Sequence, residues 1–212
     1  MNGLLFITHQ TEKYGYLPSV EIALRGGCRS IQLRMKDAAP EETERTARAA
    51  KELCDSCGAE LYIDDHVEIC GRIGATGVHL GKCDMSPLRA RKLLGDGFVI
   101  GGTANTFEDM VRLHEEGVDY VGLGPFRFTD TKKNLSPLLG LAGYRRIIRQ
   151  CKAANIRLPV IAIGGIAAAD VPAIIRAGVA GIALSSAVMR AADPVEETKK
   201  IIRLIDSCRP PE

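Results

Sequence analysis

The sequence predicts a parallel (β/α)8 barrel, and three observations carry that expectation. Short apolar runs alternate with amphipathic segments eight times along the chain, an order that implies parallel strands joined by right-handed helical crossovers. Glycines recur where a helical segment hands over to the next strand, at Gly26-Gly27, Gly74, Gly117 and Gly178, as helix C-caps do. The chain has 212 residues, 46% of them hydrophobic, which suits a single α/β-barrel core of about 200–250 residues. No GxGxxG follows the first strand, which argues against an open dinucleotide-binding sheet. One domain is expected over residues 1–207, with 208–212, ending Pro-Pro-Glu, as a frayed tail.

In chain order the strands are expected at 3–8, 30–34, 60–64, 77–80, 98–102, 119–122, 158–163 and 181–185, each an apolar run of strand length. Helical periodicity fills the gaps at 17–25, 40–57, 67–73, 87–94, 106–116, 141–153, 171–177 and 194–205. Pro40, Pro87 and Pro194 open three of these segments and Thr106 is an expected N-cap of a fourth.

Bulk composition excludes several classes of function. There are 28 basic and 26 acidic residues, a net charge of +2, with no basic stripe and only 5% aromatics, so a nucleic-acid surface is not expected. No apolar run approaches the roughly 20 residues that cross a bilayer. The N-terminus reads as a strand rather than a signal peptide. Seven scattered cysteines, an odd number, fit reduced thiols in a cytoplasmic protein. Cys54 and Cys57 have CxxC spacing, but they close a helical segment and no second pair stands at zinc spacing.

Chemistry in such a barrel gathers at the C-terminal ends of the strands. Strand 2 ends in Gln32, Arg34 and Lys36, which alternation sends to one side. Cations at a barrel mouth need an anionic partner, either a neighbouring acid or a ligand. Strand 3 ends in Asp64-Asp65-His66, and strand 4 in His79-Leu80-Gly81-Lys82-Cys83-Asp84. Asp65 and Asp84, taken together beside Arg34 and Lys36, favour a Mg2+–diphosphate site; singly, each serves equally well as a cap or loop residue. His66 and His79 read as structural histidines. Thr103 brings a hydroxyl to the mouth after strand 5. The loop after strand 6 carries Thr129, Thr131, Lys132 and Lys133, whose hydroxyls and ammonium groups suit an oxyanion. Gly164-Gly165 after strand 7 and Ser185-Ser186 after strand 8 form the phosphate-binding arrangement common in this fold. Two anion sites therefore meet at one rim, one metal-bridged and one metal-free, and displacement of diphosphate is the chemistry that needs both.

The same residues resemble the thiamine phosphate synthase family over nearly the whole chain. The matching pieces are Gln32-Leu33-Arg34-Met35-Lys36, Asp64-Asp65-His66-Val67-Glu68, Gly77-Val78-His79-Leu80-Gly81 with Asp84, Tyr120-Val121-Gly122-Leu123-Gly124-Pro125 with Thr129-Asp130-Thr131-Lys132-Lys133, and Ile161-Ala162-Ile163-Gly164-Gly165-Ile166. The resemblance implies a barrel that condenses 4-amino-5-hydroxymethyl-2-methylpyrimidine diphosphate with a thiazole phosphate, giving thiamine phosphate and diphosphate by dissociative loss of the leaving group. It assigns Gln32, Arg34, Lys36, Asp64, Thr103 and Lys132 to the pyrimidine diphosphate, with Arg34, Lys36 and Lys132 as catalytic groups. Asp65 and Asp84 would hold Mg2+, and Thr129, Thr131, Gly165, Ser185 and Ser186 the thiazole phosphate. Asp64 stands where the family usually has Asn; its extra carboxylate would repel diphosphate unless it also touches metal or stays protonated, and Asp64→Asn is expected to preserve or raise turnover, a marked loss meaning that Asp64 serves as a ligand. Asn105 and Lys82 also depart from the family pattern, at positions assigned no chemistry. The rival readings are a thiazole tautomerase-like paralogue, which lacks the paired acids, a phosphosugar isomerase, and a non-catalytic thiazole-phosphate-binding protein. A homo-oligomer is compatible with the sequence, which does not fix a copy number.

Overall fold

In the computed structural model, residues 3–128 and 137–208 are described, and their eight strands close into one parallel barrel in sequence order, β1 pairing with β8. The strands are β1 (Gly3–Ile7), β2 (Ser30–Leu33), β3 (Glu60–Asp64), β4 (Gly77–Leu80), β5 (Val99–Ala104), β6 (Tyr120–Leu123), β7 (Val160–Ala162) and β8 (Gly181–Leu184). The helices are α1 (Tyr16–Arg25), α2 (Pro40–Ser56), α3 (Val67–Ile73), α4 (Pro87–Leu94), α5 (Phe107–Glu115), α6 (Gly140–Ala153), α7 (Val171–Arg176), the short α8 (Ser186–Met189) and α9 (Pro194–Ser207). A single 3-10 turn, Ala168–Asp170, precedes α7. The frayed tail expected at 208–212 falls, apart from Cys208, outside the described residues.

Strand ends differ from the sequence expectation in one place that matters. β5 runs on to Ala104, two residues further than its apolar run, because Thr103 and Ala104 still pair with Gly122 and Leu123 of β6. Thr103 is therefore held by a sheet rather than by a loop. Pro40, Pro87 and Pro194 do sit in first turns, where a missing N–H costs nothing. Thr106 caps α5 in a reciprocal box, its side chain accepting from Asp109 N while Asp109 accepts from Thr106 N.

Two cores result from strands buried on both faces. The larger lies between sheet and helices, with Phe6, Ile31, Leu33, Leu61, Ile63, Ile100 and Val121 among its members. The smaller fills the barrel and contains Leu5, Ile7, Tyr62, Tyr120, Ile161 and Ala183. Tyr62 and Tyr120 meet edge to face with centroids 5.9 Å apart, a geometry that ring quadrupoles favour. Glycine makes room for them: a Cβ on Gly101 would stand 2.2 Å from Cζ of Tyr120. Glu60, exposed at the start of β3, accepts at Oε2 from Ser30 Oγ at 3.0 Å and from Tyr62 OH at 2.9 Å.

The cysteines carry no redox pair among the described residues. Cys54 is buried inside α2 and Cys57 is exposed just beyond its end. Burial pushes the Cys54 thiol up to about 12, which keeps it unreactive.

The segment that leaves β6 is fastened to the segment that leaves β7. Phe126 N donates to Ile163 O and Arg127 N to Gly164 O, both at 2.9 Å. The Arg127 guanidinium forms a forked pair with Asp170, Nη2 reaching Oδ1 at 2.5 Å, and Nη1 also donates to Gly165 O at 3.3 Å. Arg127 holds the Asp170 carboxyl below its ordinary range, assisted by the Ala167 N–H.

Two outcomes follow for stability. Gly101→Ala forces a methyl into the Tyr120 ring and should cost about 1–3 kcal/mol in urea unfolding, whereas Gly97→Ala, with nothing within 4 Å of its added Cβ, should change stability by no more than about 0.5 kcal/mol. Because the folded-state pKa of Asp170 is depressed, its contribution is present above the unfolded value of about 4 and is lost as pH falls through the folded value. The stability difference between wild type and Asp170→Asn, up to about 1 kcal/mol at neutral pH for such a surface pair, should therefore shrink as pH falls below ~4 in unfolding titrations and vanish only below the folded-state pKa.

Candidate active site

The mouth is built from the last inward-facing residue of each strand and the residues just beyond it. Thr8, the residue after β1, pins the backbone beyond β2: its Oγ1 accepts from Arg34 N at 2.9 Å and donates to Arg34 O at 3.4 Å. Arg34 then reaches sideways to the end of β3, with Nε 3.4 Å from Asp64 Oδ2. Gln32, buried in β2, donates from Nε2 to Asp64 Oδ1 at 2.6 Å. Asp64 is only 7% exposed, so these donors are what make its burial affordable. Burial raises its pKa, with Arg34, Lys36 and the Gln32 amide pulling against the rise. The Gln32 amide satisfies Oδ1, while Oδ2, 3.4 Å from Arg34 Nε, has no hydrogen-bond partner among the described residues.

Asp65 turns the chain in a left-handed conformation, φ 64°, which Asp tolerates better than most residues. That twist takes it out of the helix: the N-cap of α3 is His66, without a side-chain cap bond. Asp65 is left free to face the mouth, where its carboxylate lies 2.9 Å from Lys36 Nζ and within hydrogen-bonding reach of Asp84. Burial, then the Asp84 hydrogen bond, then the Asp64 charge push Asp65 up to about 7, against the pull of Lys36. Burial also presses on Asp84, but the Asp65 hydrogen bond, the Gly81 N–H, Lys36 and His79 together hold it below its ordinary range. Asp84 has a loop role as well, Oδ2 accepting from Gly81 N at 2.6 Å; the cap of α4 is Ser86 instead. Lys36, for its part, is raised: burial opposes, but Asp65, Asp64 and Asp84 outweigh it.

Thr103 rests on a polar column. His79 Nε2 is 3.0 Å from Thr103 Oγ1, and its Nδ1 is 3.1 Å from Tyr120 OH. Both ring nitrogens are engaged, in keeping with a structural histidine, yet one of its contacts is a mouth hydroxyl. A Cβ on Gly122 would come within 3.0 Å of the imidazole, so glycine in β6 leaves space for this column. Lys82 pairs with Asp109 at 2.6 Å, tying the β4 loop to α5.

On the opposite side of the mouth, Gly164 and Gly165 both have positive φ, 95° and 65°. A Cβ on Gly165 would lie 2.6 Å from Phe128 O, so the turn after β7 sits directly against the residue that precedes Thr129. Ser185 follows β8, and its buried Oγ finds no hydrogen-bond partner among the described residues. A buried hydroxyl left without a partner at the end of β8 suits a ligand oxygen. Ser186 opens α8 beside it. Thr129, Thr131 and Lys132 lie outside the described residues.

The mouth thus joins Gln32, Arg34, Lys36, Asp64, Asp65 and Asp84 by direct contacts, and seats Thr103 on His79. Reasoning from sequence passed over Thr8, Tyr120 and His9. The end of strand 1 shows no charge pattern, although His9 lies in the field of Arg34 and Arg190, which, after burial, lower its pKa. Tyr120 reads as one more apolar residue of a buried strand until the glycines around it are seen. As for a metal, the neighbouring carboxylates of Asp65 and Asp84 are a hard-oxygen donor set fit for Mg2+ with phosphate oxygens and water; no group of three or more His, Cys, Asp or Glu suited to a metal occurs among the described residues, so protein ligands alone would not enclose one.

Comparison with known proteins agrees with this geometry. The sequence model described as thiamine monophosphate synthase matches residues 4–188. A thiamine-phosphate synthase of Bacteroides fragilis is 59% identical over 204 residues, 96% of this chain and 100% of the relative. The Bacteroides thetaiotaomicron protein of the same name is 57% identical over 96% of this chain and 98% of its own. Among solved structures, thiamine phosphate pyrophosphorylase from Pyrococcus furiosus superposes with a TM-score of 0.84 at 30% identity, covering 97% of this chain and 96% of its own. No described helix is long and apolar enough to cross a membrane. With a family match that spans most of the chain and relatives aligned end to end, the chain belongs to the thiamine monophosphate synthase family.

Proposed function

We propose that the protein condenses 4-amino-5-hydroxymethyl-2-methylpyrimidine diphosphate with a thiazole phosphate, releasing diphosphate and thiamine phosphate. The observation that carries this reading is the paired-acid cluster: Asp65 and Asp84 in mutual contact with Lys36 at 2.9 Å from Asp65. Asp65 and Asp84 would hold Mg2+, whose charge, when bound, stabilises the departing diphosphate.

The chain's own residues do the rest by position and charge. Arg34, held at its Nε by Asp64, has its terminal nitrogens to offer to phosphate oxygens. Lys36, paired with Asp65 at 2.9 Å, would offer its ammonium to the diphosphate oxygens. Thr103, supported by His79, adds a hydroxyl, and Lys132 a further cation. The bond from the pyrimidine methylene to the diphosphate oxygen breaks first and its electron pair leaves with the oxygen. The amino-substituted ring spreads the positive charge left on the methylene, and the thiazole nitrogen donates its lone pair to form the new C–N bond. No side-chain nucleophile is required. The thiazole phosphate is assigned to Gly165, Ser185 and Ser186 with Thr129 and Thr131, which puts the nucleophile across the mouth from the leaving group.

A thiazole tautomerase or a silent binding protein would share the phosphate cradle. Neither accounts for two carboxylates held together against Lys36. Incubation with both substrates and Mg2+ should release diphosphate in step with thiamine phosphate; thiazole rearrangement without diphosphate would establish the tautomerase instead. Asp84→Ala should abolish metal-dependent turnover, and Lys132→Ala should reduce kcat by at least about 100-fold, both read in the same assay. Full turnover in Asp84→Ala would remove the metal assignment.

A further inference from the structure

We propose that Asp64 is a third acid of the divalent-cation site, its unpartnered Oδ2 accepting a hydrogen bond from a water on the ion, so that this mouth takes up Mg2+ by itself, before diphosphate arrives. The inference rests on the metal reading given above for Asp65 and Asp84. It goes beyond that reading, to a further residue that holds the ion and to the order in which ion and anion bind.

Three acids converge where β3 and β4 end. Asp64 pairs in register with His79, and Asp65 N donates to His79 O at 2.9 Å. Asp84 is tied to the same strand end through Gly81 N at 2.6 Å. Asp64 lies in the electrostatic field of Arg34, Lys36 and Asp84, and Asp65 in that of Asp64 and Asp84. The two oxygens of Asp64 are not alike. Oδ1 accepts from Gln32 Nε2 at 2.6 Å. Oδ2 is buried and has no hydrogen-bond partner among the described residues, although Arg34 Nε lies 3.4 Å away. In a residue only 7% exposed, an acceptor of this kind calls for a donor.

The donor that fits is a water held by a divalent ion. Mg2+ gives up its waters reluctantly and keeps several when one or two carboxylates bind it. Acceptors around the inner ligands orient such groups and strengthen the site. Asp64 does not form with Asp65 and Asp84 a group suited to ligate an ion directly, so its reach is through water. Charge argues the same way. Among the described residues Arg34 and Lys36 face Asp64, Asp65 and Asp84, which leaves a surplus of negative charge. That surplus attracts a dication and repels a bare diphosphate, and a dication that enters first reverses the balance. An amide at residue 64 would leave two cations facing two acids. The ion could still arrive with diphosphate, but affinity for the ion alone would fall.

Binding, rather than turnover, reads this directly. The ligand-free protein is titrated calorimetrically with MgCl2, and separately with inorganic diphosphate in the presence of EDTA. Asp64→Asn should weaken Mg2+ binding by at least about 10-fold, as loss of an outer-shell partner does. It should strengthen metal-free diphosphate binding by about 5-fold, the scale of one unit charge a few ångströms away in water. Damage to the fold would lower both affinities, and a fall in both overturns the inference. Equal Mg2+ affinities in wild type and folded Asp64→Asn overturn it too, as does a wild type that binds Mg2+ only with diphosphate present. These results leave the functional reading intact where the two-substrate assay still releases diphosphate. Absence of Mg2+ binding both with and without diphosphate overturns the inference and the metal reading together. Should Asp64→Asn fail to fold, Asp64→Ser removes the carboxylate with a smaller polar side chain. The same loss is expected there, and Mg2+ affinity retained without the carboxylate overturns the inference.

Discussion

Charge cannot stand unpaired at the mouth of a barrel whose walls are apolar, and this constraint organises the molecule. A lone ionised group removed from water costs several kcal/mol or neutralises itself. Here the residue ends of three consecutive strands answer one another in a chain: Gln32 and Arg34 from β2 on Asp64 from β3, Lys36 on Asp65, and Asp65 on Asp84 beyond β4. Each link crosses from one strand end to the next, so the closed order of the sheet is what brings the partners into reach. The site and the barrel closure are, in that sense, one arrangement.

The cluster is balanced rather than saturated. Two cations meet three acids, and the surplus of negative charge, with burial, pushes the Asp65 carboxyl up. A carboxyl that retains a proton because another carboxyl lies against it is a place where a divalent ion gains most by entering. The cluster is held together by its own ion pairs, so its charged groups are already gathered at one place.

Legibility from sequence divides along a physical line. The barrel could be read because periodicity, glycine caps and the eightfold alternation are local and repeated, and a wrong boundary at one strand leaves the count intact. The grouping of Gln32, Arg34, Lys36, Asp65 and Asp84 followed from the rule that strand ends converge. What each of them touches did not. Asp65 offered an N-cap reading that its left-handed φ removes, and no pattern in the chain announces that turn. Asp64 read as a repulsive intruder because its neighbours, Gln32 in β2 and Arg34 just beyond it, come into reach only through the β2–β3 register of Ile31 on Leu61 and Leu33 on Ile63. Thr8 and Tyr120 act through backbone and ring contacts that carry no compositional signal at all.

The Tyr120–His79–Thr103 column shows how the two cores meet at the chemistry. Tyr120 belongs to the apolar plug of the barrel, and its burial lifts its hydroxyl pKa well above the usual phenol range, so it remains a neutral donor. A phenol that does not ionise gives His79 Nδ1 a fixed partner, and an imidazole fixed at one nitrogen presents a defined face to Thr103 at the other. The orientation of the mouth hydroxyl is then set from beneath, by a ring whose place depends on Gly101 having no side chain. Glycines that look like packing residues in β5 are, through two hydrogen bonds, part of how the site holds its shape.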